Sequence, residues 1–133
     1  SDLAVAGAGL TTRGAVVIRA PGAFVHPIFA KRAGGSGRFD AVAALGCVIK
    51  GETDHYRYVA GEAARGILLA GLETGVPVAF GVLTCDTPGQ ARARSGDGPR
   101  NKGYEAALAA IETAGVLRAL SRVRPRQRKG APR

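Results

Sequence analysis

The sequence predicts an α/β fold in three layers, with helices covering both faces of a parallel sheet. Three observations lead there. Apolar runs alternate with helical periods, and the strand-like runs are apolar throughout rather than two-faced, as strands buried on both sides are. The third is size: 133 residues, 46% of them hydrophobic, support one domain with a modest core.

Taken in order, "GAVVIRAPGAF" begins as a short buried strand from Ala15 to Ile18 and breaks at Pro21 and Gly22. "FVHPIFAKRAG" reads as a short helix with Pro27 in its first turn, where a missing amide donor costs little. Phe39 to Ile49 is a second apolar strand. From His55 to Glu73, the residues Val59, Ala63, Ile67 and Ala70 recur at spacings of four, four and three, which puts them on one helix face. Val76 to Thr84 is a third strand. Thr87 then stands as an N-cap, with Pro88 at the first helical position and Gln90 three after the cap. Asn101 caps a last helix whose Ala106, Ala107, Ala110, Ile111, Ala114 and Leu117 form one stripe.

Composition excludes several function classes. The net charge of +9 is concentrated in residues 118–133, where Arg118, Arg122, Arg124, Arg126, Arg128, Lys129 and Arg133 stand without an acid. That segment reads as a basic, disordered tail following a domain of residues 1–117. It can bind an acidic partner or RNA through non-specific charge contacts, but no base-stacking aromatics accompany it. Cys47 and Cys85 lie in apolar segments and read as buried thiols of a reducing compartment. No stretch is long and apolar enough to span a bilayer, so a cytoplasmic location is the expectation. His26 and His55 have no ligand-type spacing to cysteines, so no metal site is expected. "SGDGPRNKG" matches neither glycine-rich phosphate pattern and follows a helix rather than a strand, so no nucleotide cofactor is expected.

In parallel α/β sheets the working groups sit at the carboxyl ends of strands, on loops leading into helices. Three segments end in that way: "APGAF", "GCVIKGETDH" and "FGVLTCDTPGQ". His55 falls in the second, at a helix start preceded by Glu52 and Thr53. Histidine is the side chain that exchanges protons near neutral pH, and the free amides of a helix N-terminus can receive an anion.

The order of "APGAF", "DAVAALGCVIKGETDHYRYVAGEAARG", "GVPVAFGVLTCDTPGQARARSG" and "NKGYEAALAAIE" resembles the lumazine synthases over about Gly9 to Glu112. The resemblance implies a flavodoxin-like sheet and a transferase of riboflavin biosynthesis. In that reaction 5-amino-6-ribitylamino-uracil condenses with 3,4-dihydroxy-2-butanone 4-phosphate, giving 6,7-dimethyl-8-ribityllumazine, phosphate and water, without metal or redox cofactor. By the same resemblance His55 is the proton-transfer group, and Glu52 and Thr53 lie in the loop whose amides hold the phosphate. Arg94 completes that site from a neighbouring subunit. Ala23, Phe24, Val48 and Ile49 match substrate-lining segments of one subunit, and Phe80 and Lys102 match positions contributed by the neighbour. The family forms pentamers, some stacked into decamers or closed into icosahedral cages, so a homo-oligomer is expected.

Two departures bear on this expectation. Where the family reads Gly-Ala-Phe-Glu-Ile-Pro this chain reads "GAFVHP", so Val25 takes the position of a glutamate that contacts the ribityl chain, and His26 is the neighbouring candidate to replace it. The family's first strand, which lies between the strands holding Val16 to Ile18 and Val42 to Ile49, has no counterpart, nor has most of its first helix. The chain is therefore expected to be N-terminally incomplete relative to the family, or to have that slot filled by another chain. A second reading follows from these departures, a catalytically impaired member that binds a ligand or serves as a structural or encapsulating assembly.

Overall fold

Two apolar runs of eight residues pair as parallel strands, and a parallel pair needs a long crossover between them. The computed structural model describes residues 14–126. A 3-10 turn at Ala23–Val25 leads into α1 (His26–Gly35), followed by β1 (Val42–Ile49), α2 (His55–Thr74), β2 (Val78–Cys85), α3 (Pro88–Ser95) and α4 (Lys102–Ser121). α2 is the crossover. The β1–β2 register runs unbroken from Val42 opposite Val78 to Ile49 opposite Cys85. Two further bonds extend it, Val42 N–H donating to the Pro77 carbonyl at 2.9 Å and Lys50 N–H to the Cys85 carbonyl at 2.8 Å.

The layers follow from which side chains each face presents. Ala44 and Val82 point to one face and bury with Ile67 of α2. On the other face, a Cβ on Gly81 would lie 2.6 Å from Leu45 Cδ2 and 3.0 Å from Ala106 Cβ, so only a glycine there lets α4 come down onto the strands. The expected helix–sheet–helix arrangement is thus present around two parallel strands. Of the predicted stripe on α2, Ala63, Ile67 and Ala70 are buried, and on α4 Ala106, Ala107 and Ala110 are. Among the described residues, eight of the eleven buried apolar ones are alanine, which lets the helices approach closely.

Local signals set the helix ends. Thr87 Oγ1 accepts from Gln90 N–H at 3.2 Å, and Gln90 Oε1 accepts in return from the N–H of Asp86 at 2.8 Å, one residue before the cap. Asn101 Oδ1 accepts from Tyr104 N–H at 2.9 Å. α2 stops at Gly75, whose φ of 71° suits glycine and whose N–H donates to the Gly71 carbonyl at 2.9 Å.

The structure departs from the sequence expectations in particular places. Val16, Val17 and Ile18 form no strand and are exposed at 62%, 65% and 57%. A strand exists only where a neighbouring backbone completes its ladder, and among the described residues the sheet consists of β1 and β2 alone. β2 begins at Val78 rather than Val76, because Pro77 has no N–H for the ladder. Cys47 is exposed, not buried, while Cys85 is buried. α4 continues through Arg118 to Ser121, and Arg118 Nη2 meets Asp40 Oδ2 at 3.5 Å. Residues 1–13 and 127–133, which include the start of the family-like region and part of the tail, lie outside the described residues.

Candidate functional site

β1 ends at Ile49, and the chain must turn through residues 50–54 before α2 starts at His55. The turn carries the small and polar residues such a reversal needs: Gly51 removes side-chain bulk, and Thr53 Oγ1 accepts from His55 N–H at 3.4 Å. Asp54, the N-cap of α2, makes no side-chain capping bond, and the first turn contains no acid. A 20-residue helix therefore presents its positive end at this rim with its first amides uncapped by Asp54, which suits an incoming anion.

A cavity of about 350 Å³ opens at this rim. Of the residues predicted from sequence, Ala23, Val48, Ile49, Thr53 and His55 line it together. The strand end supplies an apolar floor and the helix start supplies the proton-exchanging and polar groups. Ala23 reaches the cavity from the 3-10 turn and packs against the buried cluster of Ala44, Ile67 and Val82.

Four further residues line the cavity that sequence reasoning did not assign to it: Cys47, Gly51, Tyr56 and Val59. Cys47 stands two residues before Ile49, and Val59 is one turn after His55, so the strand and helix periods point to both. Tyr56 follows His55 directly, and Lys50 Nζ lies 5.9 Å from its ring centroid, which sets a cation at the rim. Cys47, though exposed as a residue, has its thiol raised above the ordinary value, by desolvation first and then by the charge and hydrogen bonding of Cys85.

The other predicted residues do not line the cavity. Phe24 is 62% exposed on the adjoining turn, Val25 is half-buried, and Glu52 is exposed in the loop. Phe80 stands on β2 at 46% exposure. Arg94 is on α3, donating to the Gln90 carbonyl at 3.2 Å, and Lys102 at the start of α4 pairs with Glu105 at 2.9 Å. His26 is not free to meet a polyol in place of the family's glutamate, because Nε2 lies 2.6 Å from the Leu45 carbonyl oxygen and Nδ1 3.0 Å from that of Gly22.

A second cavity, of about 420 Å³, lies at the opposite ends of the strands between Leu68, Leu72, Pro77, Ala109 and Leu117. It is lined by no ionisable side chain and has nothing with which to move a proton. Among the described residues no cluster of three His, Cys, Asp or Glu could hold a metal ion, and no helix is long and apolar enough to cross a membrane.

Comparison with known proteins bears on the same region. The family model described as 6,7-dimethyl-8-ribityllumazine synthase matches residues 3–118. A curated protein of that description from Deinococcus radiodurans is 58% identical over 102 residues, which cover 77% of this chain and 66% of the relative. One from Deinococcus deserti is 59% identical over 98 residues, covering 74% of this chain and 63% of the relative. The chain thus spans slightly less than two thirds of the length of these relatives.

Proposed function

From the premise that the chain belongs to the 6,7-dimethyl-8-ribityllumazine synthase family, we propose that it acts as a lumazine synthase, a transferase of riboflavin biosynthesis, with its reaction centred on the cavity at the end of β1. The observation that carries this reading is the convergence of His55, Thr53, Ala23, Val48 and Ile49 on one cavity at a helix N-terminus.

The chemistry fits what these groups can do. The amine of 5-amino-6-ribitylamino-uracil condenses with the ketone of 3,4-dihydroxy-2-butanone 4-phosphate and water leaves. Phosphate then departs as a neighbouring C–H is deprotonated. The enol left by phosphate loss ketonises at the carbon that bore the 3-hydroxyl, and the ribitylamino nitrogen closes the ring on that new carbonyl with loss of a second water. Every step moves protons, and His55 is the cavity's histidine, so it is assigned that work. The start of α2, with Glu52 and Thr53 before it, receives the phosphate through backbone amides that the Asp54 side chain leaves uncapped. Ala23, Val48 and Ile49 present apolar surface to the pyrimidine, and Phe24 and Val25 continue that wall along the turn. No cofactor takes part in this scheme.

Arg94, Phe80 and Lys102 lie on exposed surface away from the cavity. That placement supports a shared site in which they serve the cavity of an adjacent subunit, Arg94 as the phosphate clamp. We take the assembly to be a homo-pentamer. Exposed aliphatic side chains such as Leu68, Leu72 and Leu120 support association of copies. A cytoplasmic location and an acidic partner for the basic tail complete the reading.

Val25 favours a second reading, in which the fold binds a ligand or builds an assembly without turnover, because it puts an apolar side chain where the family has a carboxylate. Combining both substrates and following lumazine absorbance and fluorescence decides between the two. Product formation supports the synthase. Binding of a product analogue with no turnover supports the impaired assembly. A stable monomer in sedimentation at micromolar concentration would rule out the shared site.

A further inference from the structure

His26 begins α1 and touches neither the cavity nor any acid, yet it joins two parts of the cavity wall. Its Nε2 lies 2.6 Å from the backbone oxygen of Leu45, two residues before Cys47 in β1. Its Nδ1 lies 3.0 Å from the backbone oxygen of Gly22, the residue before Ala23. The ring lies close enough to β1 that a Cβ on Gly46 would sit 3.4 Å from Nε2 and 3.6 Å from Cε1. A neutral imidazole has one N–H, and the shorter contact, 2.6 Å to the Leu45 oxygen, assigns it to Nε2, while Nδ1 lies beside the Gly22 oxygen at 3.0 Å as a close contact and not a second hydrogen bond. The Nε2–H therefore donates across 19 residues of sequence, from the turn to the strand.

We propose that His26 is a positioning residue that brackets the Gly22–Val25 turn to β1 and so fixes where Ala23 stands over Val48 in the cavity. Three features of the chain converge on this role. Polar bonding within the turn is sparse: Val25 N–H reaches the Gly22 carbonyl at 3.4 Å, His26 N–H bonds back to the Ala23 carbonyl, no side chain caps the 3-10 turn, and Ala23 is otherwise held by packing on the buried cluster. Phe24 is largely exposed. Gly46, lacking a side chain, leaves the strand surface open for the imidazole to reach the Leu45 oxygen. The bracket orients the wall that meets the pyrimidine and its ribityl chain and leaves the phosphate end, built from the start of α2, untouched.

This inference rests on the reading of the cavity as the substrate site, and its test separates the two. The variants are His26→Ala and His26→Gln, the glutamine amide being able to donate to the Leu45 oxygen in place of Nε2–H. Both are measured for lumazine formation, and amide hydrogen exchange is followed at Gly22–Val25. In His26→Ala the KM for the ribitylamino-uracil rises roughly three- to tenfold, as the loss of one ordering hydrogen bond implies. The KM for the butanone phosphate and kcat stay within about twofold, since neither His55 nor the phosphate loop moves. Exchange at Gly22–Val25 accelerates, exchange in β2 does not, and His26→Gln restores both readouts. The proposal is overturned if His26→Ala leaves exchange at the turn unchanged. It also fails if both KM values rise together with no rescue by glutamine, which would make His26 a general packing residue. Should the wild-type protein make no lumazine, the synthase reading fails by itself, and exchange at the turn, with its rescue, still decides whether the bracket exists.

Discussion

Pro27 and Gly66 meet where α1 crosses α2: a Cβ on Gly66 would fall 2.5 Å from Pro27 Cγ and 2.6 Å from its Cβ. The proline ring is rigid and cannot turn away. The close crossing of the two helices therefore depends on residue 66 having no side chain.

The first prediction follows from that contact. Alanine in place of glycine inside a helix ordinarily adds about 1 kcal/mol of stability. At residue 66 the collision wins, and Gly66→Ala should lower stability by about 1–3 kcal/mol through overpacking. Gly61, in the same helix with nothing within 4 Å of its hypothetical Cβ, is the control. Gly61→Ala should raise stability by up to about 1 kcal/mol. Denaturant unfolding of the two variants checks the opposite signs.

A second prediction separates the chemical roles. His55→Ala should lower kcat by roughly two to four powers of ten with little change in either KM, as loss of a proton-transfer group does. Arg94→Ala should chiefly raise the KM for the phosphate substrate. Mixing the two impaired variants, assayed at phosphate-substrate concentrations well below the raised KM, adds a check on the shared site. Mixed assemblies recover part of the activity if Arg94 serves the neighbour's cavity, and none if each cavity is complete in one chain.

The cysteines supply a third. Cys47 is exposed and Cys85 buried, so one thiol per chain should react with a disulfide reagent under native conditions and two after unfolding. Because the Cys47 thiol is held above its ordinary value of 9.0, its reaction near pH 8 should be slower than that of a free thiol. The sign for stability follows. The neutral thiol is favoured in the folded state, so this contribution is complete below pH 9 and is lost as pH rises through the elevated value. Cys47→Ser should flatten that alkaline loss, which unfolding midpoints between pH 8 and pH 11 would reveal.

The fourth concerns the basic end. Ending the chain after Ser121 removes Arg122, Arg124, Arg126, Arg128, Lys129 and Arg133 and leaves α4 whole. Thermal stability should be unchanged within about 0.5 kcal/mol, while elution from heparin should shift to markedly lower salt because six cations are gone. Undiminished retention would place the cationic surface on the body of the protein.

What the sequence disclosed was local. Asn101 and Thr87 were recognisable as caps because a cap acts on an amide two or three residues away. Ala63, Ile67 and Ala70 were recognisable because one helix turn repeats every three or four positions. His55, Thr53, Val48 and Ile49 belong to one strand, turn and helix start, so their convergence was legible as well. The unreadable parts depend on partners distant in sequence. Val16 to Ile18 has strand composition but no ladder to join. The burial of Cys85 and exposure of Cys47 depend on what other elements pack over each position, which hydropathy does not encode. His26, the sequence candidate to replace the family's glutamate, is committed instead to the Leu45 carbonyl 19 residues away, a partner that no local pattern reveals.

The alanine-built core has a calorimetric consequence. A buried methyl group sheds little hydration water, and Ile67 is the one large side chain fully buried among the described residues. Meanwhile Val16, Leu68, Leu72, Phe80 and Leu120 are already in contact with water in the single folded chain. Unfolding one such chain hydrates less new apolar surface than its length implies, so its heat-capacity increment should fall below the usual ~12–15 cal/mol/K per residue, and its stability curve should be correspondingly flat. Covering those aliphatic chains with further copies restores the increment and makes Tm climb with protein concentration, so that the shape of a melting curve reports how many chains share the heat.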